Sequence, residues 1–110
     1  MKTKNLKMPF LGTLGITSLT LGAFVVLAEQ SFKPKDGFVP TEETATRIAE
    51  AVWLPIYGKE TIEQEKPFQA KLSNGVWTVT GTLPEGHLGG VALAEISKEN
   101  GAILRVIHGK

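Results

Sequence analysis

The chain has 110 residues with 12 basic and 11 acidic side chains, a length that one compact domain accounts for and a balance under which long-range attraction to a charged partner is weak. It contains no cysteine, which excludes disulfides, thiolate chemistry, Cys-ligated metals and a lipoprotein anchor. No concentrated basic stripe is present to neutralise phosphates, so nucleic acid is not an expected partner.

Lys2, Lys4 and Lys7 precede an uncharged run from Pro9 to Ala28. A basic start, an apolar stretch and Val26-Leu27-Ala28 as a small-x-small break form a signal-peptide pattern, with cleavage expected after Ala28. The competing reading is an uncleaved membrane tether, because an apolar run of about 20 residues can span a bilayer as a helix. Gly12, Gly15 and Gly22 weaken it as a permanent span. Either reading puts the rest of the chain outside the cytoplasm, in the periplasm or cell envelope. Residues 1–28 are thus read as the export segment, 29–40 as an extended lead-in arm and 41–110 as one α+β domain. Without the export segment nine basic and eleven acidic side chains remain, a mildly acidic domain with no disulfide to staple it.

In the arm, Pro34, the Asp36-Gly37 turn signal and Pro40 oppose helix, while Phe32, Phe38 and Val39 are expected to pack onto the domain. Thr41 is a good N-cap, and Glu42 and Glu43 then face the positive end of the helix dipole. Ala45, Ile48, Ala49, Val52, Trp53 and Ile56 recur at helical spacing and form an apolar stripe. Glu43, Arg47 and Glu50 alternate in sign on the outer face. Pro55 cannot donate a helical hydrogen bond, which predicts an end near Leu54 with Ile56-Tyr57-Gly58 as an irregular exit.

Lys59 to Lys66 is polar and acidic and fits a loop, a helical turn or an edge strand. After Pro67 the period becomes two: Phe68, Ala70 and Leu72 alternate with Gln69 and Lys71 in a half-buried strand. Asn74-Gly75 is the strongest short hairpin signal. The returning strand, Val76 to Leu83, places Trp77, Val79 and Leu83 on one face and threonines on the other. Pro84 to Gly90 is a loop, Val91 to Ser97 a third strand, Lys98 to Gly101 a turn, and Ala102 to His108 a fourth strand. The expectation is one amphipathic helix on a curved four-stranded antiparallel sheet. The helix covers one face only, yet the last two strands are apolar on both faces, which is unusual where one face meets water. The arm, a second copy in a homodimer or a foreign partner is expected to shield part of the second face.

The run Pro34-x-Asp36-Gly37-x-Val39-Pro40, the helix Ala45-x-x-Ile48-Ala49-Glu50-Ala51 and Tyr57-Gly58 form one motif set with Pro67-Phe68, Trp77, Gly81, Gly89-Gly90 and Gly101. It resembles the bacterial immunity proteins with a nuclear-transport-factor-2-like, or cystatin-like, fold found in polymorphic toxin systems. The resemblance implies an exported binding protein that blocks a cognate toxin. A rival resemblance is to the inhibitory module of exported peptidase propeptides, which shares an ending like Glu95-Ile96-Ser97-Lys98-Glu99-Asn100-Gly101-Ala102-Ile103. The Gly75-Val76-Trp77 hairpin and Gly89-Gly90 favour the immunity family.

His87 and His108 are the only histidines and have no metal-ligand spacing, so no metal and no cofactor is expected. Enzymes on the resembled fold can use a pocket acid with a tyrosine. Tyr57 is the one tyrosine, and Glu95 is an acid in mid-strand. A buried Glu95 would need a partner, for which Arg105 on the adjacent strand is the expected choice over an acid of raised pKa. Convergence of Glu95, Tyr57 and a histidine in one cavity would mark an enzyme or small-ligand site; dispersed positions favour a non-enzymatic binder. Gly86, Gly89 and Gly90 lack the lysine and helix of a phosphate loop and read as a turn or bulge. Trp53 and Trp77 are expected as core anchors, and Glu60, Glu63 and Glu65 as a solvated face or a docking site for a basic toxin surface. Candidate partner contacts are Ile103, Arg105 and Ile107 on the second sheet face and His87 and Leu88 in the glycine-rich loop.

Overall fold

The computed structural model describes residues 31–110; the export segment lies outside them. Helix α1 spans Glu42–Tyr57 and short helix α2 spans Lys59–Gln64. Strands β1 (Gln69–Ser73), β2 (Val76–Thr80), β3 (Ala92–Ser97) and β4 (Ile103–His108) follow in an antiparallel sheet of order β1-β2-β3-β4.

The local signals act largely as expected. The Thr41 side chain accepts from the Thr44 N–H at 3.2 Å, satisfying one of the helix's orphan donors. Arg47 and Glu43 pair at 2.9 Å across one helical turn. Asn74 and Gly75 both take positive φ, 50° and 75°, so Ser73 and Val76 pair across a two-residue hairpin loop. Gly101 takes φ 75° and donates to the Ser97 carbonyl at 2.9 Å, closing the β3–β4 turn.

Two boundaries differ from the sequence expectation by three residues, and of the readings open for Lys59–Lys66 the helical one holds. Helix α1 does not end at Leu54 but carries Pro55 within it and continues to Tyr57. The N–H missing from Pro55 would have served the carbonyl of Ala51, which is exposed and open to water. Lys59–Gln64 is helical because Ile62 turns inward as a fully buried side chain. Strand β2 ends at Thr80; Gly81 to Leu83 leave the ladder, and Leu83 is exposed.

The core lies between α1 and one sheet face. Ala45, Ala49 and Trp53 of the helix stripe are buried, together with Val39, Ile62, Ala70, Trp77, Val79, Ala92, Ala94 and Ile96. Ile56 is exposed, so the stripe stops at Trp53. The edge of Phe68 meets the ring of Trp53, 5.2 Å between centroids and 81° between planes. The arm is fastened at the turn end of the sheet: the Phe38 and Val39 N–H groups donate to the Glu99 and Lys98 carbonyls, each at 2.9 Å. The Trp77 indole N–H donates to the Val39 carbonyl at 2.7 Å inside the core. Val39 is buried and ties the arm to the helix side, Phe32 and Phe38 are exposed against expectation, and Lys35–Gly37 border a groove at the turn end together with Val76 and Ser97 of the second face.

Helix α1 packs mainly across β1, β2 and β3 and reaches β4 with the Tyr57 ring, 5.1 Å from that of His108. Strand β4 is therefore the most exposed of the apolar strands, with Ile103, Leu104 and Ile107 among the exposed large hydrophobic side chains. Its pairing with β3 slips by one residue: Glu95 faces Arg105 and Ile96 faces Ile103, leaving Leu104 as the extra residue of a bulge.

Candidate functional site

Two features stand out: a buried carboxylate–imidazole pair at one end of the sheet, and the open outer face that runs onto β4.

The pair is built by the connection from α2 to β1. The Glu65 side chain is turned inward, between the sheet and the end of β2. Its Oε1 accepts the Ala92 N–H at 2.7 Å, and its Oε2 accepts His108 Nε2–H at 2.8 Å. The Glu65 carbonyl accepts the Thr82 N–H at 2.7 Å, so backbone and side chain together tie three connections. Gly81 makes room: a Cβ there would overlap Oε1 and Cβ of Glu65. His108 Nδ1–H donates in turn to the Gly109 carbonyl at 2.7 Å, and the ring lies 5.1 Å from that of Tyr57. The hydrogen bond to Glu65 and that to Gly109 hold the His108 pKa above its ordinary 6.5, aided by the Glu65 charge and opposed by partial burial. Both ring nitrogens face acceptors, leaving neither free as a general base.

The outer face is a different chemistry. Rows across the sheet run Lys71–Thr78–Glu95–Arg105 and Gln69–Thr80–Leu93–Ile107. Arg105 Nη1 and Glu95 Oε2 are 3.9 Å apart, a loose pair, and the Arg105 side chain is 56% exposed. Surface pairs of this kind contribute about 0–1 kcal/mol, so the guanidinium retains donors for another acceptor. Leu93 and Ile107 share its face, with Ile107 exposed, whereas the bulge sets Ile103, also exposed, opposite the core-facing Ile96 and off the expected outer row. This is an apolar patch with a central cation.

Tyr57 and a histidine do meet an acid, but the acid is Glu65; Glu95 lies on the opposite face, paired with Arg105 as the alternation requires. The acidic run is split accordingly: Glu60 and Glu63 are exposed and Glu65 is buried, against the expectation of a uniformly solvated face. Glu63 joins Glu50 around the Lys66 ammonium, at 2.7 and 3.0 Å, and these contacts raise the Lys66 pKa. Sequence reasoning missed Glu65 because nothing in its polar surroundings marks it as inward. The one available signal was helical spacing from Ile62, the apolar residue three positions earlier. His87 and Leu88 sit exposed in the Pro84–Gly90 loop, with Leu88 99% accessible. Tyr57 and Phe68 pack against the core, Trp77 belongs to it, and Gly58 separates the two helices. Two grooves open at the other end of the sheet, of about 570 and 370 Å³, lined by the arm and the hairpin turns; neither reaches Glu65, His108 or Tyr57. Among the described residues no group of three or more His, Asp or Glu side chains assembles to hold a metal ion.

The chain is 38% identical over 73 residues to the uncharacterized protein YbbC of Escherichia coli (strain K12), covering 66% of this chain and 60% of that protein. It is 36% identical over 73 residues to the uncharacterized protein YhhH of the same organism, covering 66% of this chain and 58% of that one. It thus matches about three fifths of the length of these relatives. No solved structure gives a significant match. The profile of a family described as NTF2 fold immunity protein matches residues 44–110, a span that begins inside α1 and takes in α2, the Glu65–His108 pair and the whole sheet. With well over half its length inside that profile, the chain belongs to the NTF2 fold immunity protein family.

Proposed function

We propose that this protein is an exported immunity protein that binds a cognate toxin and neutralises it by occlusion, acting as a binder without catalysing a reaction. The observation that carries this reading is the open outer face of the sheet in a chain of immunity-family descent. Leu93 and Ile107 supply aliphatic anchors, Arg105 a planar donor for a toxin carboxylate, and the Lys71, Thr78 and Glu95 row a polar rim, with Ile103 exposed at the start of the same strand. That is the anatomy of a protein interface, with apolar contacts at the centre and charge where water can reach it. A standard interface needs about 800 Å² on each partner, more than one strand offers, so the surface extends from β4 across Leu93 and Thr80 of β3 and β2. His87 and Leu88 form a second, smaller contact at the opposite end of the loop series. The imidazole of His108 and the carboxylate of Glu65 serve the fold, since each is already engaged by the other.

An immunity protein must meet its toxin where the toxin works. The basic start and uncharged run of residues 1–28 support export with cleavage after Ala28, and hence a toxin whose target is in the periplasm or envelope. Cell fractionation and mass measurement test export: the expected product is periplasmic and begins at Glu29, and a full-length cytosolic product contradicts it. Co-expression with the toxin encoded beside its gene tests neutralisation. The expected result is survival with the protein and killing without it, together with a complex in pull-down. Equal killing in both strains with no complex overturns the reading.

A further inference from the structure

The end of β4 is held by an arrangement that a doubly protonated imidazole beside a carboxylate satisfies in full. His108 Nε2 is 2.8 Å from a carboxylate oxygen of Glu65 and Nδ1 is 2.7 Å from the Gly109 carbonyl. With Glu65 ionised both are acceptors, so both nitrogens donate and the ring is the cation. A neutral imidazole has one hydrogen and leaves one of these contacts as a lone pair facing an oxygen. The pair also determines where the strand stops. Gly109 N–H donates to the Val91 carbonyl at 3.1 Å, and Gly90 lies so close to Gly109 that neither has room for a Cβ. Apart from these contacts and the Tyr57 ring beside His108, β4 is an edge strand paired to β3 alone, so its end depends on them more than an interior strand would.

We propose that His108 and Glu65 form a proton-operated latch: the imidazolium pins the end of β4 to the α2–β1 connection, and loss of its proton as the medium turns alkaline frees the last residues of the strand. This goes beyond toxin binding and does not depend on it. The groups facing His108 from each neighbour are few. Helix α1 presents the Tyr57 ring, the α2–β1 connection presents Glu65, and β3 presents the apolar Ala92 opposite. Lys66, next in sequence, is turned to Glu50 and Glu63. The β2–β3 loop meets the strand's tail through Gly89 and Gly90, with Glu85 and His87 exposed. Glu65 is thus the one carboxylate that bonds the ring, and the raised His108 pKa agrees with the geometry. A chain exported to the envelope would meet the pH of its surroundings directly.

The test is nitrogen-detected NMR of the imidazole of the ¹⁵N-labelled domain between pH 5 and 10, with His87→Asn to remove the second ring, alongside amide exchange at Ile107, His108 and Gly109. Both His108 nitrogens should carry hydrogen at pH 6, and the ring should titrate above 6.5. Beyond its intrinsic pH dependence, exchange at the strand end should quicken by about tenfold per unit of displacement between the latched and free midpoints. Glu65→Gln supplies the neutral counterpart. Its oxygen still accepts from Ala92, its amide donates to a neutral Nε2, and Nδ1–H still serves Gly109. In that variant the His108 midpoint should fall below the parent's and the step in exchange should vanish. If Glu65→Gln does not fold, His108→Gln takes its place and should likewise lose the step. A parent midpoint at or below 6.5, or strand-end exchange indifferent to the His108 midpoint, overturns the latch.

Discussion

Glu65 is the residue on which the account differs most from its sequence surroundings. It sits in a run of lysines and glutamates, yet its carboxylate is buried and bonded from two sides. Removing one partner of such a pair leaves the other stranded, which costs about 3–5 kcal/mol when both are deeply buried. His108 is partly exposed and can recover some hydration. Glu65→Ala is therefore expected to cost about 2–4 kcal/mol in urea unfolding, scaled down from the fully buried case. Gly81→Ala attacks the same carboxylate from the other side, and its added Cβ should cost about 1–3 kcal/mol through forced displacement. The sign of the pH dependence follows from the direction of the His108 shift. A pKa raised on folding stabilises fully below the unfolded value of about 6.5, and the contribution is lost as pH rises through the higher folded value. Urea midpoints should thus fall between pH 6 and 9 in the parent and change less in His108→Gln; a parent midpoint rising over that window would contradict the pair.

At the scale of elements, the two tryptophans make opposite bargains with their indole nitrogens. Trp77 donates to Val39 and so fastens the arm to the sheet. Trp53 is fully buried, and its N–H has no acceptor among the described residues. Trp77→Phe loses volume and a buried hydrogen bond and strands the Val39 carbonyl, whereas Trp53→Phe loses volume but removes an orphan donor. The first should be the more destabilising by about 1 kcal/mol or more in matched unfolding curves, and equal costs would refute the assigned difference. Full truncation at Trp77→Ala should cost about 3–5 kcal/mol. Most of this architecture was legible from periodicity. The Thr41 cap, the Asn74-Gly75 hairpin, the Gly101 turn and the alternation in β2 and β3 are local signals that the tertiary structure does not oppose, whereas Leu72 of the expected inner row of β1 is exposed and the bulge at Leu104 breaks the alternation of β4. The Glu95–Arg105 pair was legible too, because alternation and register together place them opposite. What was not legible depended on distant contacts. Continuation of α1 through Pro55 and the helical form of Lys59–Gln64 rest on how Tyr57 and Ile62 pack, which no local spacing reveals. The inward turn of Glu65 depends on His108, 43 residues away in the chain.

For the whole molecule, the main asymmetry is between a helix that lies mainly across three strands and a sheet that has four. The fourth strand carries Ile103, Arg105 and Ile107, and Ile103 and Ile107 are exposed. The arm sends Val39 into the core on the helix side and borders the outer face at the turn end, beside Val76 and Ser97, in a groove that does not include Leu93, Arg105 or Ile107. What remains for the outer face is a second copy or a foreign protein, and family membership favours the toxin. The most direct measurement is the affinity of residues 29–110 for the proposed toxin partner, by calorimetry, for the parent, Arg105→Glu and Ile107→Asp, with Glu63→Gln as a surface control. Central contacts in an interface typically cost about 2 kcal/mol or more when disrupted, roughly thirtyfold in Kd. The two β4 variants should therefore bind at least that much more weakly while melting within a few degrees of the parent, and Glu63→Gln should bind unchanged. Tight binding that both β4 variants leave intact would place the toxin elsewhere on the molecule and contradict the assignment of the outer face.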